Sequence, residues 1–226
     1  MKTLKYLFIA LCATMMVSCV SVPLKEQTYV KMYSEKPLVI AVMPPINKTN
    51  NVEAKEFLYW TLAKPLCERG YYVVSPYLSM DMFKSESAYD AEQFINGSLK
   101  RFQDILGADA VLFTTIKKWE KAALVSNIYV EIEYVLKSTK TNEIIFERTG
   151  DITYDASVNA SGGGLLGALV NVAASALSTA LTDHIKVARA CNDYTLVDMP
   201  SGVYSPTYDK DQKTGAGKKV FKATIR

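Results

Sequence analysis

The sequence lacks most of the residue patterns on which enzymes depend. It contains a single histidine, His184, so a site with several histidine ligands cannot form, and a lone histidine at a helix end is more often structural than catalytic. It contains no G-x-S-x-G nucleophile turn and no H-E-x-x-H zinc motif. We therefore predict no enzymatic activity, no catalytic residue, no metal site and no cofactor.

An excess of charge of either sign is also missing. The 226 residues carry 26 basic and 23 acidic side chains. Without Lys2 and Lys5 the net charge falls from +3 to +1. Proteins that bind nucleic acid through their overall field are much more basic, so this composition predicts no nucleic-acid partner.

The first apolar run, from Tyr6 to Val17, is shorter than the about 20 residues that cross a bilayer core. It follows a short basic start and ends in a small residue and Cys19, which is typical of a bacterial lipobox. We predict that residues 1–18 are a signal peptide and that acyl chains on Cys19 anchor the mature protein. The alternative is an ordinary signal peptide in which Cys19 is incidental.

The residues after the anchor indicate its location. Val20 stands where an aspartate would retain a lipoprotein at the inner membrane, so the outer membrane is favoured and the leaflet stays open. Residues 19–34 are predicted to form a lipidated polar tether. Cys67 and Cys191 remain in a compartment that permits disulfides, and the sequence leaves open whether they form one bridge or two buried free thiols.

Residues 35–188 have the pattern of one α/β domain. A wholly apolar strand at 38–43 is predicted to be buried on both faces, and a helix at 52–69 follows it, kinked by Pro65. Three later strands follow. The middle one alternates apolar and polar residues and leads through the turn STKTN into the last, which predicts an antiparallel meander. The fold class is thus α/β, a single domain with a mixed sheet and flanking helices. The meander strands are 109–119, 127–137 and 143–155.

Five stretches together resemble one bacterial lipoprotein family of unknown function, which includes a neisserial surface antigen. They are VIAVMPPINKT, LAKPLCERGYYVV, LGADAVLFTTI, STKTNEIIFERTG and GGLLGALV, in order between Lys36 and Asp183. The resemblance implies a fold similar to the amino-terminal domain of the translocation protein TolB and to curli-secretion lipoproteins. It implies a curli-secretion-type lipoprotein as a protein partner, and no catalytic residues.

Gly162, Gly164 and Gly167 form a G-x-G-x-x-G pattern, but they do not predict a dinucleotide site. Such a site needs a parallel strand before the glycines and an acidic residue after the next parallel strand. Here an antiparallel meander precedes them, and no strand follows at the required distance. We therefore predict that no nucleotide binds and that the glycines are a flexible entry to a helix.

That helix is predicted over 165–181, within the uncharged segment 156–182. One side carries leucines that would pack on the sheet, and the other side carries small, weakly polar residues where surface helices normally carry charge. We interpret the second side as a contact face for a protein partner or for a second copy of the chain, with coverage by the tail as the alternative. The face comprises Gly167, Asn171, Ser175, Ser178 and Thr182.

Residues 189–226 are predicted to be a partly disordered carboxy-terminal extension, because lysines alternate with glycines near its end. Three functional hypotheses follow. The first is a lipid-anchored envelope protein that binds another protein, as an accessory subunit of a curli-secretion-like export or assembly system. The second is a self-assembling structural lipoprotein, and the third, least favoured, is an enzyme.

The predicted anchor can be tested by metabolic labelling. Cys19→Ala should abolish the incorporation of radioactive palmitate, because no other residue in the lipobox position can accept the diacylglycerol. Cys67→Ala is the matched control and should label like the unaltered chain. Label that persists in the Cys19→Ala variant would contradict the predicted anchor.

Overall fold

A seven-stranded mixed sheet forms the centre of the computed structural model, which describes residues 22–85, 91–122, 127–157 and 184–226. The strands are β1 (Val39–Val42), β2 (Ile46–Asn47), β3 (Tyr72–Val73), β4 (Ala110–Lys121), β5 (Asn127–Ser138), β6 (Ile144–Asp155) and β7 (Val220–Ile225). Their order is β3-β1-β4-β5-β6-β7, with β2 beside β4. This arrangement confirms the predicted α/β class and mixed sheet.

Helices flank this sheet on both faces. They are α1 (Lys25–Thr28), α2 (Val30–Glu35), α3 (Val52–Thr61), α4 (Ala63–Glu68), α5 (Pro76–Ser85), α6 (Glu92–Ile95), α7 (Lys100–Leu106) and α8 (His184–Leu196). Together they bury the apolar side chains of the sheet in two clusters, one on each face.

The parallel half of the sheet is built around β1, which pairs with β3 and β4. Its residues Ile40, Ala41 and Val42 are fully buried, because helices cover both sides of the strand. The carboxylate of Asp109 accepts hydrogen bonds from the backbone N–H groups of Leu38 and Val39 at 2.9 and 3.0 Å and fixes the start of the strand.

The antiparallel half is the predicted meander of β4, β5 and β6. Ile132 pairs with Ile116 on one side and with Gly150 on the other, and its side chain is fully buried. Glu131 and Glu133 lie on the opposite, half-exposed side of β5, as the alternation predicts. Helices α5 to α7 cover the second face near β1, β4 and the end of β5, where Lys137 Nζ donates to the carbonyl of Ile95 at 2.6 Å. The remainder of this side of β5 is half-exposed.

The predicted helix over 52–69 is broken near its centre. Pro65 has no N–H to donate to the carbonyl of Thr61, and its ring would clash with that carbonyl, so a regular helix cannot continue through it. The N–H of Leu62 instead bonds to the carbonyl of Tyr59 at 3.3 Å, and the chain resumes as α4. The helix is thus interrupted at Leu62, three residues before Pro65.

The break supplies an acceptor that holds α8 in place. The carbonyl of Leu58 accepts a hydrogen bond from the side-chain amide of Asn192 at 3.1 Å, and Thr61 Oγ1 accepts another at 2.8 Å. The hydroxyl of Tyr134 on β5 donates to Asn192 Oδ1 at 2.8 Å. One fully buried amide thus joins α3, α8 and the sheet.

The expectation that residues 189–226 are a partly disordered extension beyond a domain ending at 188 is wrong. Residues up to Leu196 complete α8, and β7 pairs in parallel with β6 as the last strand of the sheet. The reason is the alternation within β7, where Phe221, Ala223 and Ile225 pack against the core while the residues between them are exposed.

The expectation that residues 19–34 form a polar tether outside the domain is wrong for the residues that the structure describes. Tyr29 and Met32 are buried in the core, so α1 and α2 belong to the domain. The domain therefore begins near Pro23, whose carbonyl accepts a hydrogen bond from Ala216 N at 2.8 Å.

Ile132→Asp should abolish folding, because it buries an unpaired charge in the meander and such a charge costs about 3–5 kcal/mol. Circular dichroism during thermal unfolding measures the effect. Glu131→Gln, on the solvated side of the same strand, should change the free energy of unfolding by less than about 0.5 kcal/mol. Equal losses from the two variants would mean that β5 is buried on both faces.

Candidate interaction surface

The only histidine is used in packing. The His184 ring stacks on Phe57 and lies parallel to Trp119, with centroid distances of 6.1 and 5.9 Å. The indole N–H of Trp119 donates to His184 Nδ1 at 3.1 Å. His184 therefore ties the start of α8 to β4 and α3. In the described ranges, no three His, Cys, Asp or Glu side chains come together in a group that could hold a metal ion.

The two cysteines of the domain are separate free thiols in the structure: Cys67 is exposed and Cys191 is buried. The bridge that the sequence left open is not formed. Burial raises the pKa of the Cys191 thiol to about 12, and desolvation also raises the pKa of Cys67. Neither thiol is activated as a nucleophile, because nucleophilic cysteines need a lowered pKa.

A buried carboxylate joins the two ends of the described chain. Asp211, 7% exposed, lies 3.7 Å from Lys25 Nζ and 3.4 Å from Arg69 Nη2. It also accepts hydrogen bonds from Tyr33 Oη at 2.9 Å and from the backbone N–H of Ser201 at 2.8 Å. These partners satisfy the charge that burial would otherwise penalise.

The pKa values in this cluster reflect the balance between burial and pairing. Desolvation alone would raise the pKa of Asp211, but the hydrogen bonds from Ser201 and Tyr33 and the charge of Lys25 hold it below its ordinary value. Burial and the neighbouring Arg69 charge lower the pKa of Lys25. Asp211 is therefore ionised at neutral pH and holds the first helix against the carboxy-terminal segment.

A second buried carboxylate lies beside the first. Asp198 accepts hydrogen bonds from Tyr29 Oη and from Gly217 N, the latter at 2.8 Å, and lies 3.8 Å from Arg148 Nε. The Arg148 guanidinium donates to a backbone carbonyl at 2.6 Å and lies 4.3 Å above the Phe221 ring. A Cβ at position 217 would lie 2.7 Å from Arg148 Nη2, which explains the glycine.

Sequence reasoning missed both clusters. Their members come from the α1–α2 segment, the end of α4, β6 and the chain after α8, so no local spacing brings them together. The available signal was the alternation within β7, which places the tail in the sheet. The buried ionisable groups consequently hold the chain ends in place and do not form an open catalytic cleft.

The far-end surface consists of residues 154–157, 184–190 and Arg226, where β6 ends and α8 begins. Arg226 Nη2 donates to the carbonyl of Ser157 at 2.8 Å. An open groove of about 560 Å³ between α8 and β7 continues from it and contains the exposed side chains of Tyr194 and Val197. Exposed aromatic side chains of this kind are enriched in protein contacts.

In the sequence, the predicted contact face lies between the two stretches 154–157 and 184–190 that form this surface. Gly167, Asn171, Ser175, Ser178 and Thr182 lie outside the described residues, as do Cys19 and the helix over 165–181. Segment 156–182 leaves and rejoins the described domain at the far-end surface, next to Ser157 and His184. No helix in the described part of the chain is both long enough and apolar enough to cross a membrane.

Comparisons with known proteins agree on one family. Residues 27–204 match the family described as "Putative lipoprotein GNA1162-like". The chain is 27% identical over 162 residues to "Putative lipoprotein NMB1124/NMB1162" of Neisseria meningitidis serogroup B, covering 69% of this chain and 73% of that protein. These matches confirm the resemblance that the five sequence stretches predict.

Three solved structures resemble this chain, each with a TM-score below 0.5. The crystal structure of lipoprotein GNA1162 from Neisseria meningitidis is 25% identical, with a TM-score of 0.49 over 63% of this chain and 99% of that chain. The LpoB carboxy-terminal domain from Escherichia coli is 19% identical, with a TM-score of 0.35 over 56% and 93%. The PelC dodecamer from Paraburkholderia phytofirmans is 16% identical, with a TM-score of 0.33 over 66% and 90%.

Asp211→Asn should destabilise the protein by about 3 kcal/mol or more at neutral pH, because it leaves the buried Lys25 and the half-buried Arg69 without their carboxylate. Asp209→Asn is the matched control. Asp209 pairs with Lys36 in solvent, so its loss should cost about 0–1 kcal/mol. Urea unfolding at neutral pH measures both, and equal costs would show that the Asp211 cluster is not a stabilising one.

The pH dependence provides an independent test of the same cluster. The pKa of Asp211 is lower in the folded chain than its ordinary value of about 4, so the unfolded state binds more protons as acid is added. The stability from Asp211 is therefore complete above about pH 4 and is lost as the pH falls through the folded pKa. The unaltered chain should lose more stability below that pH than Asp211→Asn does. Parallel pH profiles would contradict this assignment.

Proposed function

The chain belongs to the GNA1162-like lipoprotein family, and from this premise we propose that it is a non-enzymatic cell-envelope protein that acts by binding another protein. Lipid chains on Cys19 hold it at the membrane, and the outer membrane is the proposed location because Val20 follows the cysteine. The buried ionisable groups of the Asp211 and Asp198 clusters are paired with one another and hold the chain ends together. This structural use of the charged groups supports a binding role for the protein.

The observation that carries this proposal is the separation of the two ends of β6. The Tyr29 ring lies 5.2 Å from that of Phe146, so the beginning of the domain packs near the start of β6. Asp155 ends the strand nine residues later, about 30 Å away at the rise of an extended strand. An anchor on one side and segment 156–182 on the other would therefore face different surroundings.

The contact face is proposed to be the small-residue side of the segment: Gly167, Asn171, Ser175, Ser178 and Thr182. Small residues allow another helix to approach closely, and Asn171 offers a hydrogen bond across such a contact. The groove beside α8 runs from this end toward the start of β7 and exposes Tyr194 and Val197. The favoured partner is a curli-secretion-type lipoprotein, in an export or envelope assembly system. Self-assembly through the same face is the second candidate, because an uncharged face suits a second copy equally well.

Photo-crosslinking in intact cells tests the contact face on the full chain. A photoreactive amino acid at Ser178 should give a crosslinked adduct, whereas one at Lys140, an exposed residue of the β5–β6 turn, should not. An adduct of twice the chain mass would support self-assembly, and one with a different protein would support the partner hypothesis. No adduct at Ser178, or equal adducts at both positions, would contradict the proposed face.

Ser175→Trp distinguishes a contact face from an internal one. Bulk on a contact face should remove the Ser178 adduct while changing the free energy of unfolding by less than about 1 kcal/mol. Thermal unfolding of the same variant provides the control. A large loss of stability would mean that the face packs within the domain.

A further inference from the structure

The described chain begins in a fixed position on the surface of the domain. Leu24 forms a bridge with Gly215, and the backbone N–H groups of Lys25 and Glu26 donate to the carbonyls of Thr214 and Gln212 at 2.9 and 3.0 Å. A Cβ at Gly215 would lie 3.0 Å from the Val22 side chain, which therefore packs over this glycine. These contacts and the ion pair of Lys25 with Asp211 fix the start of the described chain on the domain surface.

The distance to the anchor is short. Cys19 precedes Val22 by three residues, and an extended chain covers at most about 3.6 Å per residue, so the two lie within about 11 Å. An acylated Cys19 is held at the lipid headgroups. The surface around Val22 must then lie near the headgroups as well, and this step depends on the anchor of the proposed function.

The same surface carries unpaired cations. We define the anchor-side surface as residues 22–27 and 212–220. Its exposed charges are Glu26 and three lysines, of which Lys219 pairs with Glu147 at 2.7 Å. Lys213 and Lys218 form no ion pair with any described residue. Val22 and Val220 are 61% and 64% exposed beside them.

We propose that the anchor-side surface lies directly on a membrane that carries anionic lipid, with Lys213 and Lys218 against headgroup phosphates. Exposed lysines beside a lipid anchor add electrostatic attraction to acidic headgroups, and this attraction reaches only about a Debye length. The short link keeps both lysines within that range. The exposed valines fit the apolar boundary below the headgroups.

Docking in this way sets the orientation of the whole domain. The far-end surface, with Lys186 and Arg226, lies where β6 ends. The helix that begins the domain lies near the start of that strand. A domain that rests on the anchor-side surface therefore presents the far-end surface away from the bilayer. The contact face of segment 156–182 would then meet a partner outside the headgroup layer.

Lipid quenching on the full lipidated chain tests the orientation. We would replace the exposed Cys67 by Ser and attach a fluorophore to Lys213→Cys or, as the matched control, to Lys186→Cys at the far-end surface. Each protein is reconstituted in phosphatidylethanolamine vesicles with phosphatidylglycerol and with a lipid that carries a spin label on its headgroup. We expect strong quenching at position 213 and weak quenching at position 186. Equal quenching, or stronger quenching at 186, would overturn the proposal.

Charge neutralisation tests the role of the lysines. Lys218→Gln should reduce the ratio of docked to undocked domain about fivefold in vesicles with phosphatidylglycerol. In vesicles of phosphatidylcholine alone it should have little effect. The same loss in both kinds of vesicle would overturn the contact with anionic headgroups.

Flotation of the vesicles separates this proposal from the one on which it depends. Protein that floats with the vesicles but is not quenched at position 213 is anchored without docking, which overturns the docking surface alone. Protein that does not float has no working anchor at Cys19, which overturns both.

Discussion

The buried carboxylate of Asp211 constrains the rest of the architecture. It compensates the charges of Lys25 in α1 and of Arg69 just after α4, which would be costly to bury alone. Because Lys25 lies in the first helix, this pairing fixes where the chain enters the domain. Because Asp211 lies after α8, the same pairing requires the segment from α8 to Asp211 to fold with the domain.

A second constraint follows from a proline. Pro65 interrupts the helix that begins at Val52, and the carbonyl of Leu58 is thereby available to the amide of Asn192. Through Asn192 the break is connected to Tyr134 on the central strand β5. The polar groups of the interior thus position the helices on the sheet. They are used within the domain and take no part in the surfaces at its two ends.

The long strands of the meander give those two ends different roles. Strand β6 begins beside the α1–α2 segment and ends beside Ser157, where segment 156–182 departs. An anchor near the first end and a contact face at the second would let one rigid sheet hold a partner at a defined distance from lipid. A short attachment favours orientation, whereas a long flexible tether would allow the domain to turn freely.

The sequence by itself determined the parts of this protein that depend on local pattern. The apolar run at β1, the alternation around Ile132 and the turns between long strands predicted the mixed sheet and its meander, because side chains in strands repeat every two residues. The family resemblance also lay in short stretches of sequence. The terminal segments were misjudged because lysines and glycines suggested a solvated tail, although Phe221 and its alternate neighbours contained a strand signal.

Only the tertiary structure decided which distant residues meet. Lys25, Arg69 and Asp211 are separated by long stretches of chain, and a single carboxylate gives no local sign of which cations it will contact. The hydrogen bonds of Leu24 and its neighbours to residues 212–216 are equally non-local. Local periodicity fixes the face on which a side chain lies, whereas the pairing of segments far apart depends on how the whole core packs.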